Sequence, residues 1–200
     1  MDSKIEAVFA DYDARMQRER ENAGQMKLDD FLLPVGPQTG ALLNSLIKGA
    51  KATRILEIGT SYGYSGVWLA EAARETGGKL ITLDVADYKQ AYAKAALEKA
   101  GLAAFVDFRC GSALDLIPTL PGPFDFVLLD LWKDLYVPCL ELFFPKLAPG
   151  AIVVADNMLQ PAAAREEALA YRRAVRAKPG VASVLLPIGS GIEISRLGDL

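Results

Sequence analysis

Short apolar runs alternate with amphipathic segments along this chain, and that alternation restricts the possible fold more than any other feature. Residues 54–59, 79–84 and 124–130 are apolar runs of strand length, and the segments between them repeat apolar residues at helical spacing. Strands that alternate with helices are typical of a parallel sheet covered by helices on both faces. We therefore predict an α/β fold built on a mostly parallel sheet.

The last two apolar runs reverse the strand direction. Residues 181–187 and 192–197 are separated by four residues, whereas a parallel crossover needs about a dozen. We therefore predict a C-terminal antiparallel hairpin, which brings the sheet to seven strands. The other predicted strands are 105–109 and 151–155. Pro149 and Gly150 precede the second of these and form a stop signal for the helix before it. The predicted helices are 3–22, 41–48, 65–75, 88–100, 114–120, 135–147 and 163–178.

The absence of histidine from all 200 residues excludes several kinds of chemistry. It removes Ser-His-Asp and Cys-His catalysis and any zinc site with histidine ligands. Cys110 and Cys139 are too few for a four-cysteine metal site and too far apart for a C-x-x-C pair, so we predict reduced cysteines in the core. The net charge of −3 argues against a nucleic-acid partner and favours a small molecule.

The length of the apolar runs and the composition of the N-terminus predict the cellular location of the protein. No apolar run approaches the roughly 20 residues that span a bilayer, so we expect no membrane partner. The first residues are acidic and mixed and lack a secretory pattern, so we predict a cytoplasmic protein. We predict one domain over 1–200, with accessory helices in 1–50 and the core in 51–200. A second apolar face in the N-terminal region is compatible with a homodimer.

A glycine-rich turn follows the first core strand. Gly59, Gly63 and Gly66 depart from the G-x-G-x-x-G spacing of dinucleotide-binding turns. The G-x-S-x-G pattern around Ser61 matches a hydrolase nucleophile elbow, although no histidine exists to serve as its base. Glycine also marks many strand-to-helix turns that bind no ligand.

A third interpretation of this turn is that it holds the amino-acid end of S-adenosylmethionine. Glu57 lies at the end of the strand, where it can receive an ammonium group, and Asp84 ends the next strand. A carboxylate at that second position can accept hydrogen bonds from both hydroxyls of a ribose. Asp84 alone could be a helix cap, but together with Glu57 and the glycine turn it favours nucleoside binding.

Oxygen ligands follow two later strands. Asp130 ends the run 124–130, and Asp156 and Asn157 follow the run 151–155. Parallel strands bring their carboxyl ends to one edge of a sheet, so three hard oxygen ligands would meet there and suit Mg²⁺ or Ca²⁺. Asp-Asn after a strand is also common turn chemistry, and the metal interpretation depends on all three residues acting together.

The run Leu-Asp-Leu-Trp-Lys-Asp-Leu-Tyr at 129–136, with Ala-Asp-Asn-Met at 155–158, resembles a known family. It is similar to the class I S-adenosylmethionine-dependent O-methyltransferases that need a divalent metal, of the catechol and caffeoyl-CoA type. The resemblance extends over about 31–197 and implies a Rossmann-like methyltransferase sandwich. It implies metal ligands (Asp130, Asp156 and Asn157), a general base (Lys133) and cofactor contacts (Val35, Glu57, Gly59, Ser65, Asp84, Ala113, Asp130 and Trp132).

The resemblance also implies a reaction and an acceptor. The acceptor would be a small vicinal dihydroxy-aromatic compound bound with Mg²⁺, Ca²⁺ or Mn²⁺, and Lys133 would take its proton. Phe31 falls where the catechol enzymes carry an aromatic gatekeeper. Leu114 and Leu131 replace polar residues of the animal catechol enzymes, which leaves the acceptor open. A metal-independent methyltransferase and a non-catalytic cofactor-binding module remain alternatives.

Overall fold

A seven-stranded mixed sheet runs through the molecule in the order β3-β2-β1-β4-β5-β7-β6. The computed structural model describes residues 2–198; residues 1, 199 and 200, at the ends of the predicted domain 1–200, lie outside the described residues. The strands are β1 (Arg54–Ile58), β2 (Lys79–Asp84), β3 (Val106–Cys110), β4 (Phe124–Leu129), β5 (Leu147–Ala155), β6 (Val181–Leu186) and β7 (Ile192–Leu197).

Strands β1 to β5 are parallel, whereas β7 runs antiparallel to both β5 and β6. The predicted parallel sheet and C-terminal hairpin are therefore confirmed. The helices are α1 (Ser3–Glu21), α2 (Pro37–Ala50), α3 (Tyr64–Thr76), α4 (Asp87–Lys99), α5 (Ala113–Thr119), α6 (Tyr136–Phe143) and α7 (Arg165–Arg176).

Apolar side chains on the two faces of the sheet form separate buried clusters. Leu56 and Ile58 of β1 pack into the cluster that includes residues of α5, α6 and α7. Ile55, which points to the other face, packs into the cluster that includes residues of α1, α2 and α3. Helices therefore cover both faces, as predicted. No helix among residues 2–198 is long and apolar enough to cross a lipid bilayer.

The start of β5 differs from the prediction. The strand begins at Leu147 and includes Pro149 and Gly150, the pair that the sequence pattern predicts as a stop signal for the preceding helix. The pairing of β5 with β4 shifts register after Phe124, and Gly150 has a φ of 78°. A bulge of this kind accommodates a proline and a glycine inside a strand. The preceding helix ends earlier than predicted, at Phe143, and a short 3₁₀ turn follows.

The prediction that both cysteines lie in the core was wrong for Cys110. Cys139 on α6 is buried, but Cys110 is exposed at the end of β3. The reason is topological, because β3 lies at one edge of the sheet and its last residues have no strand beyond them. Apolar sequence around a cysteine does not reveal whether its strand is central or at an edge.

Candidate active site

The candidate site lies at the carboxyl ends of three adjacent parallel strands. Ile58 at the end of β1 pairs with Leu129 at the end of β4, and Leu129 pairs with Ala155 at the end of β5. The next residue on each strand is Gly59, Asp130 or Asp156. The register therefore brings a glycine and two carboxylates to one edge of the sheet, the edge at which open α/β sheets bind ligands.

Gly59 allows β1 and β4 to approach closely at this edge. Its φ is 110°, and a Cβ atom built at this position would lie 1.9 Å from the carbonyl oxygen of Asp130. No side chain fits that space, and the backbone conformation is one that L residues rarely adopt. Gly59 is thus needed to keep the turn beside Asp130, which is a stronger requirement than the sequence spacing indicated.

Glu57 is completely buried beneath this turn, on the face of the sheet that α3 covers. The hydroxyl of Ser65 donates to Oε1 and that of Thr82 donates to Oε2, each at 2.6 Å. Burial raises the pKa of Glu57 to about 7, and the two hydroxyl groups oppose that rise only in part. Among residues 2–198 this buried carboxylate has two hydroxyl donors but no cationic partner, which suits it to receive a positively charged group from a ligand.

Asp84 joins the end of β2 to the same turn. Its Oδ2 accepts a hydrogen bond from the backbone N–H of Ser61 at 2.7 Å, and its Oδ1 accepts one from the N–H of Ala86 at 2.9 Å. The second bond closes a local turn and does not cap α4, whose N-cap residue Ala86 has no side-chain cap hydrogen bond. Each carboxylate oxygen retains a further lone pair, so ribose binding by Asp84 stays a prediction.

Four predicted cofactor residues line one narrow cavity. Val35, Gly59, Ser65 and Asp130 share it with the segment Leu32–Pro34, which crosses over the glycine turn. Ala113 starts α5 and is buried, whereas Trp132 is 60% exposed. Neither of these two lines the cavity, and Phe31 stands just before the segment that does. Their roles toward adenine and acceptor stay predictions.

Lys133 is the centre of a polar cluster between the ends of β4 and β5. Its Nζ donates to Oδ1 of Asn157 at 2.9 Å and to the carbonyl oxygen of Leu131 at 2.9 Å, and it lies 3.9 Å from Oδ1 of Asp130. Burial lowers the pKa of Lys133, while the nearby carboxylates of Asp130 and Asp156 act in the opposite direction. The structure therefore brings together the predicted base and the predicted metal ligands.

The buried carboxylate of Asp156 indicates how a metal ion would fit this cluster. It is 2% exposed, and its Oδ1 is a buried oxygen without a hydrogen-bond partner among the described residues. Burial first, and then the charge of Asp130, raises the pKa of Asp156; burial also raises the pKa of Asp130. A cation between the two carboxylates would supply the missing partner and offset the repulsion, and the oxygen donors match Mg²⁺. These residues therefore fit a divalent ion.

No group of three or more carboxylate, cysteine or histidine side chains gathers as a metal site within residues 2–198. The third oxygen donor in the set is the amide of Asn157, and in this structure it accepts from Lys133. Asn157 has a φ of 55°, a conformation that asparagine tolerates better than most residues. The strand end is thus shaped so that the amide turns back toward Lys133.

Sequence reasoning missed two polar residues that support the site. Thr82 lies opposite Glu57 in the β1–β2 register, so two polar residues inside apolar strands could have revealed the pair. The hydroxyl of Tyr136 accepts a hydrogen bond from Lys133 at 2.6 Å and donates to the carbonyl oxygen of Asp156 at 3.2 Å. Its position three residues after Lys133, at the start of a helix, was the available signal.

Comparison with known proteins now identifies the family. Residues 8–197 match the family model described as O-methyltransferase. The chain belongs to the O-methyltransferase family. The match extends over most of the chain and confirms the resemblance inferred from the strand-end motifs.

Individual members of the O-methyltransferase family agree with this placement. Catechol O-methyltransferase of Niastella koreensis is 36% identical over 132 residues, 64% of this chain and 59% of that protein, so the chain spans about three fifths of that relative. Caffeoyl-CoA O-methyltransferase 2 of Eucalyptus globulus is 31% identical over 186 residues, 82% of this chain and 75% of that protein.

A solved structure of the O-methyltransferase TomG from Streptomyces achromogenes, involved in tomaymycin synthesis and in complex with S-adenosylmethionine, superposes with a TM-score of 0.80. It is 28% identical, and the superposition covers 99% of this chain and 91% of that one. The predicted Rossmann-like methyltransferase sandwich is therefore confirmed.

Proposed function

We propose that this chain is an S-adenosylmethionine-dependent O-methyltransferase that methylates one hydroxyl of a small catechol-like acceptor, with a divalent cation and Lys133 as general base. The observation that carries the proposal is the cluster at the ends of β4 and β5. There the amine of Lys133 contacts Asn157 at 2.9 Å and lies near Asp130, beside a buried oxygen of Asp156 for which the described residues supply no hydrogen-bond partner. The names of the catechol and caffeoyl-CoA relatives support the acceptor class.

Asp130, Asp156 and Asn157 would hold the cation, Mg²⁺ or a similar ion such as Mn²⁺ or Ca²⁺. When bound, the ion supplies positive charge that lowers the pKa of an acceptor hydroxyl. The two aspartates contribute negative charge and the amide contributes a neutral oxygen, a mixture typical of sites for hard cations. The elevated pKa of Asp156 and its unpartnered oxygen are the properties that such an ion would reverse.

Lys133 would remove the proton of the acceptor hydroxyl at its Nζ. Burial lowers the pKa of this amine, so the neutral form that can accept a proton is more accessible than in an exposed lysine. The hydroxyl of Tyr136 and the carbonyl oxygen of Leu131 fix the position of Nζ from the protein side. Orientation matters because aligned reactants can account for roughly 7–11 kcal/mol of a barrier.

The glycine turn would hold S-adenosylmethionine, the methyl donor. Glu57 would receive the ammonium group of its methionine part, with Ser65, Gly59 and Val35 around that part, and Asp84 would accept the ribose hydroxyls. The buried, partly satisfied carboxylate of Glu57 supports the first assignment. The TomG complex with S-adenosylmethionine supports the identity of the donor. The adenine would lie against two further residues, Ala113 and Trp132.

The test is methyl transfer from labelled S-adenosylmethionine to a panel of catechols, with Mg²⁺ and again with a chelator. We expect product only with the metal, and none from Asp156→Asn, because that change removes one ligand charge and one anionic oxygen. Asp134→Asn is the matched control: Asp134 is exposed beside the same motif, and its loss should leave product formation unchanged.

Each result leads to a different conclusion. Product that persists in chelator and in Asp156→Asn would favour a metal-independent methyltransferase. Tight cofactor binding without methylation of any catechol would refute the acceptor class and favour another acceptor or a binding role. Failure to bind S-adenosylmethionine at all would refute the proposal as a whole. The homodimer and the cytoplasmic location stay predictions, and light scattering measures the first.

A further inference from the structure

The segment Leu32–Val35, which we call the cofactor lid, closes the cleft above the glycine turn. It lines a cavity of about 20 Å³ together with Gly59 and Ser65. That volume is about the room of one water molecule, whereas sites for small organic ligands are on the order of 300–1,000 Å³. The methionine part of S-adenosylmethionine, which the proposed function places here, can therefore enter this cleft only if the cofactor lid moves.

Two side chains of α1 hold the cofactor lid and the residues just before it. The backbone N–H of Leu32 donates to Oε2 of Glu19 at 3.0 Å, and Nη2 of Arg15 donates to the carbonyl oxygen of Asp30 at 3.0 Å. Arg15 and Glu19 also form an ion pair at 2.6 Å, one helical turn apart. Glu19 is 7% exposed, so its carboxylate is shielded from water, and charge-assisted hydrogen bonds are stronger when shielded.

The same arginine contacts the opposite wall of the cleft. Its guanidinium carbon lies 3.7 Å from the ring centroid of Tyr62, which belongs to the glycine turn, and 4.7 Å from that of Tyr92 on α4. The hydroxyl of Tyr12 on α1 donates to the carbonyl oxygen of Tyr62 at 2.7 Å. Side chains of helix α1 thus contact both sides of the cleft, the cofactor lid on one side and the glycine turn on the other.

The closed lid includes a residue in an unfavourable conformation. Leu33 has a φ of 42°, and its side chain is 60% exposed, so its own packing does not compensate for the backbone geometry. Its neighbours Leu32 and Val35 are buried, and Leu32 is the residue bound to Glu19. The contacts of the neighbours, rather than the preference of Leu33, therefore impose the closed form.

We propose that Arg15 and Glu19 are positioning residues of the cofactor site, which hold the lid closed over bound S-adenosylmethionine and set the rate at which the cofactor product leaves. The proposal rests on the proposed function, because it assumes that the cavity accepts this cofactor. Neither side chain lines the cavity, so both act through the lid and through Tyr62.

The test compares three variants of the chain 1–200. Glu19→Ala removes the acceptor of the Leu32 N–H and the partner of Arg15. Glu19→Gln keeps an oxygen for the N–H but loses the charge. Glu21→Ala is the matched control, because Glu21 lies on the same helix and pairs with Gln17 at 3.3 Å on the exposed side.

Two quantities are measured: hydrogen exchange of the Leu32 amide without ligand, and the dissociation rate of labelled S-adenosylhomocysteine chased with unlabelled compound. We expect Glu19→Ala to speed both by roughly tenfold or more, since a hydrogen bond to a buried charge is lost. Glu19→Gln should fall between this variant and the wild type, and Glu21→Ala should match the wild type. Exchange of the β1 amides should not change, which separates lid opening from general loss of stability.

Faster amide exchange with an unchanged dissociation rate would overturn the proposal, as would an unchanged exchange rate. Equal effects in Glu19→Ala and Glu21→Ala would also overturn it. If the wild type binds no S-adenosylhomocysteine, the proposed function fails and the cofactor role of the pair fails with it. The exchange data would then still report whether Glu19 holds the segment.

Discussion

Replacing Glu57 by glutamine should stabilise the free protein at alkaline pH while weakening cofactor binding. Glutamine has nearly the same shape as the glutamate and carries no charge. The hydroxyls of Ser65 and Thr82, which now donate to Glu57, can each donate or accept, so the network can adjust. The chief change is therefore removal of a buried negative charge that has no cationic partner within the described part of the chain, residues 2–198.

The magnitude follows from the pKa of Glu57, which burial raises from 4.5 to about 7. Below pH 4.5 the residue is protonated in both the folded and the unfolded chain, so its ionisation does not alter the free energy of unfolding. Between pH 4.5 and about 7 the unfolded chain releases the proton first, so the free energy of unfolding falls as pH rises. Above pH 7 this decrease is complete and amounts to about 3 kcal/mol, because one pKa unit corresponds to about 1.36 kcal/mol.

The assay is urea unfolding of the wild type and Glu57→Gln at pH 5 and pH 8.5. The stability of the variant relative to the wild type should rise by about 2–3 kcal/mol between these values. Glu75→Gln, at an exposed position on α3, should show no such rise. Titration calorimetry should also show that Glu57→Gln binds S-adenosylmethionine at least roughly tenfold more weakly, since a charged hydrogen bond is lost. If the free energies of unfolding of the wild type and Glu57→Gln changed equally with pH, the folded protein would not raise the pKa of Glu57 as described.

Two other positions give direct tests. Gly59→Ala should lower the free energy of unfolding by at least about 2 kcal/mol in urea unfolding, because its Cβ would lie 1.9 Å from the carbonyl oxygen of Asp130 at a φ of 110°. Gly49→Ala, in open space on α2, should not destabilise the protein, and equal losses at both glycines would contradict this account. A thiol reagent should modify Cys110 in the native protein and leave Cys139 intact, because Cys139 is buried and burial raises the pKa of its thiol to about 12. Modification of both cysteines at the same rate, read by mass spectrometry, would disprove that burial.

Local patterns predicted the order of elements well, since apolar periodicity depends on neighbours along the chain. Only five residues separate β6 from β7, too few for a parallel crossover, so their number alone determines an antiparallel hairpin. The start of β5 at Leu147 was not predictable in this way. Pro149 and Gly150 end helices in most settings, and only pairing with β4 across a bulge keeps them in a strand.

The sequence alone also determined which residues meet at the sheet edge. Asp130 and Asp156 each follow a buried strand, and adjacent parallel strands end side by side, so their proximity follows from topology. The hydrogen bond from Lys133 to Asn157 and the intervening Tyr136 depend on side-chain directions after each strand. Those directions are decided by loop geometry, which residue spacing does not encode.

Contacts between distant segments were decided only by the tertiary structure. Glu19 binds the N–H of Leu32 because α1 packs against α3 and α4 and thereby faces the loop that follows it. Glu19 continues the helical spacing of the buried residues Ile5, Val8 and Tyr12, but its charge hides this signal, since charged residues on a surface helix are usually exposed. Local sequence determines the helices, the strands and the strand ends, because apolar residues recur at regular spacing along a buried face. Tertiary packing determines how the cleft closes, because the residues that meet there, such as Glu19 and Leu32, lie on different segments and no regular spacing pairs them.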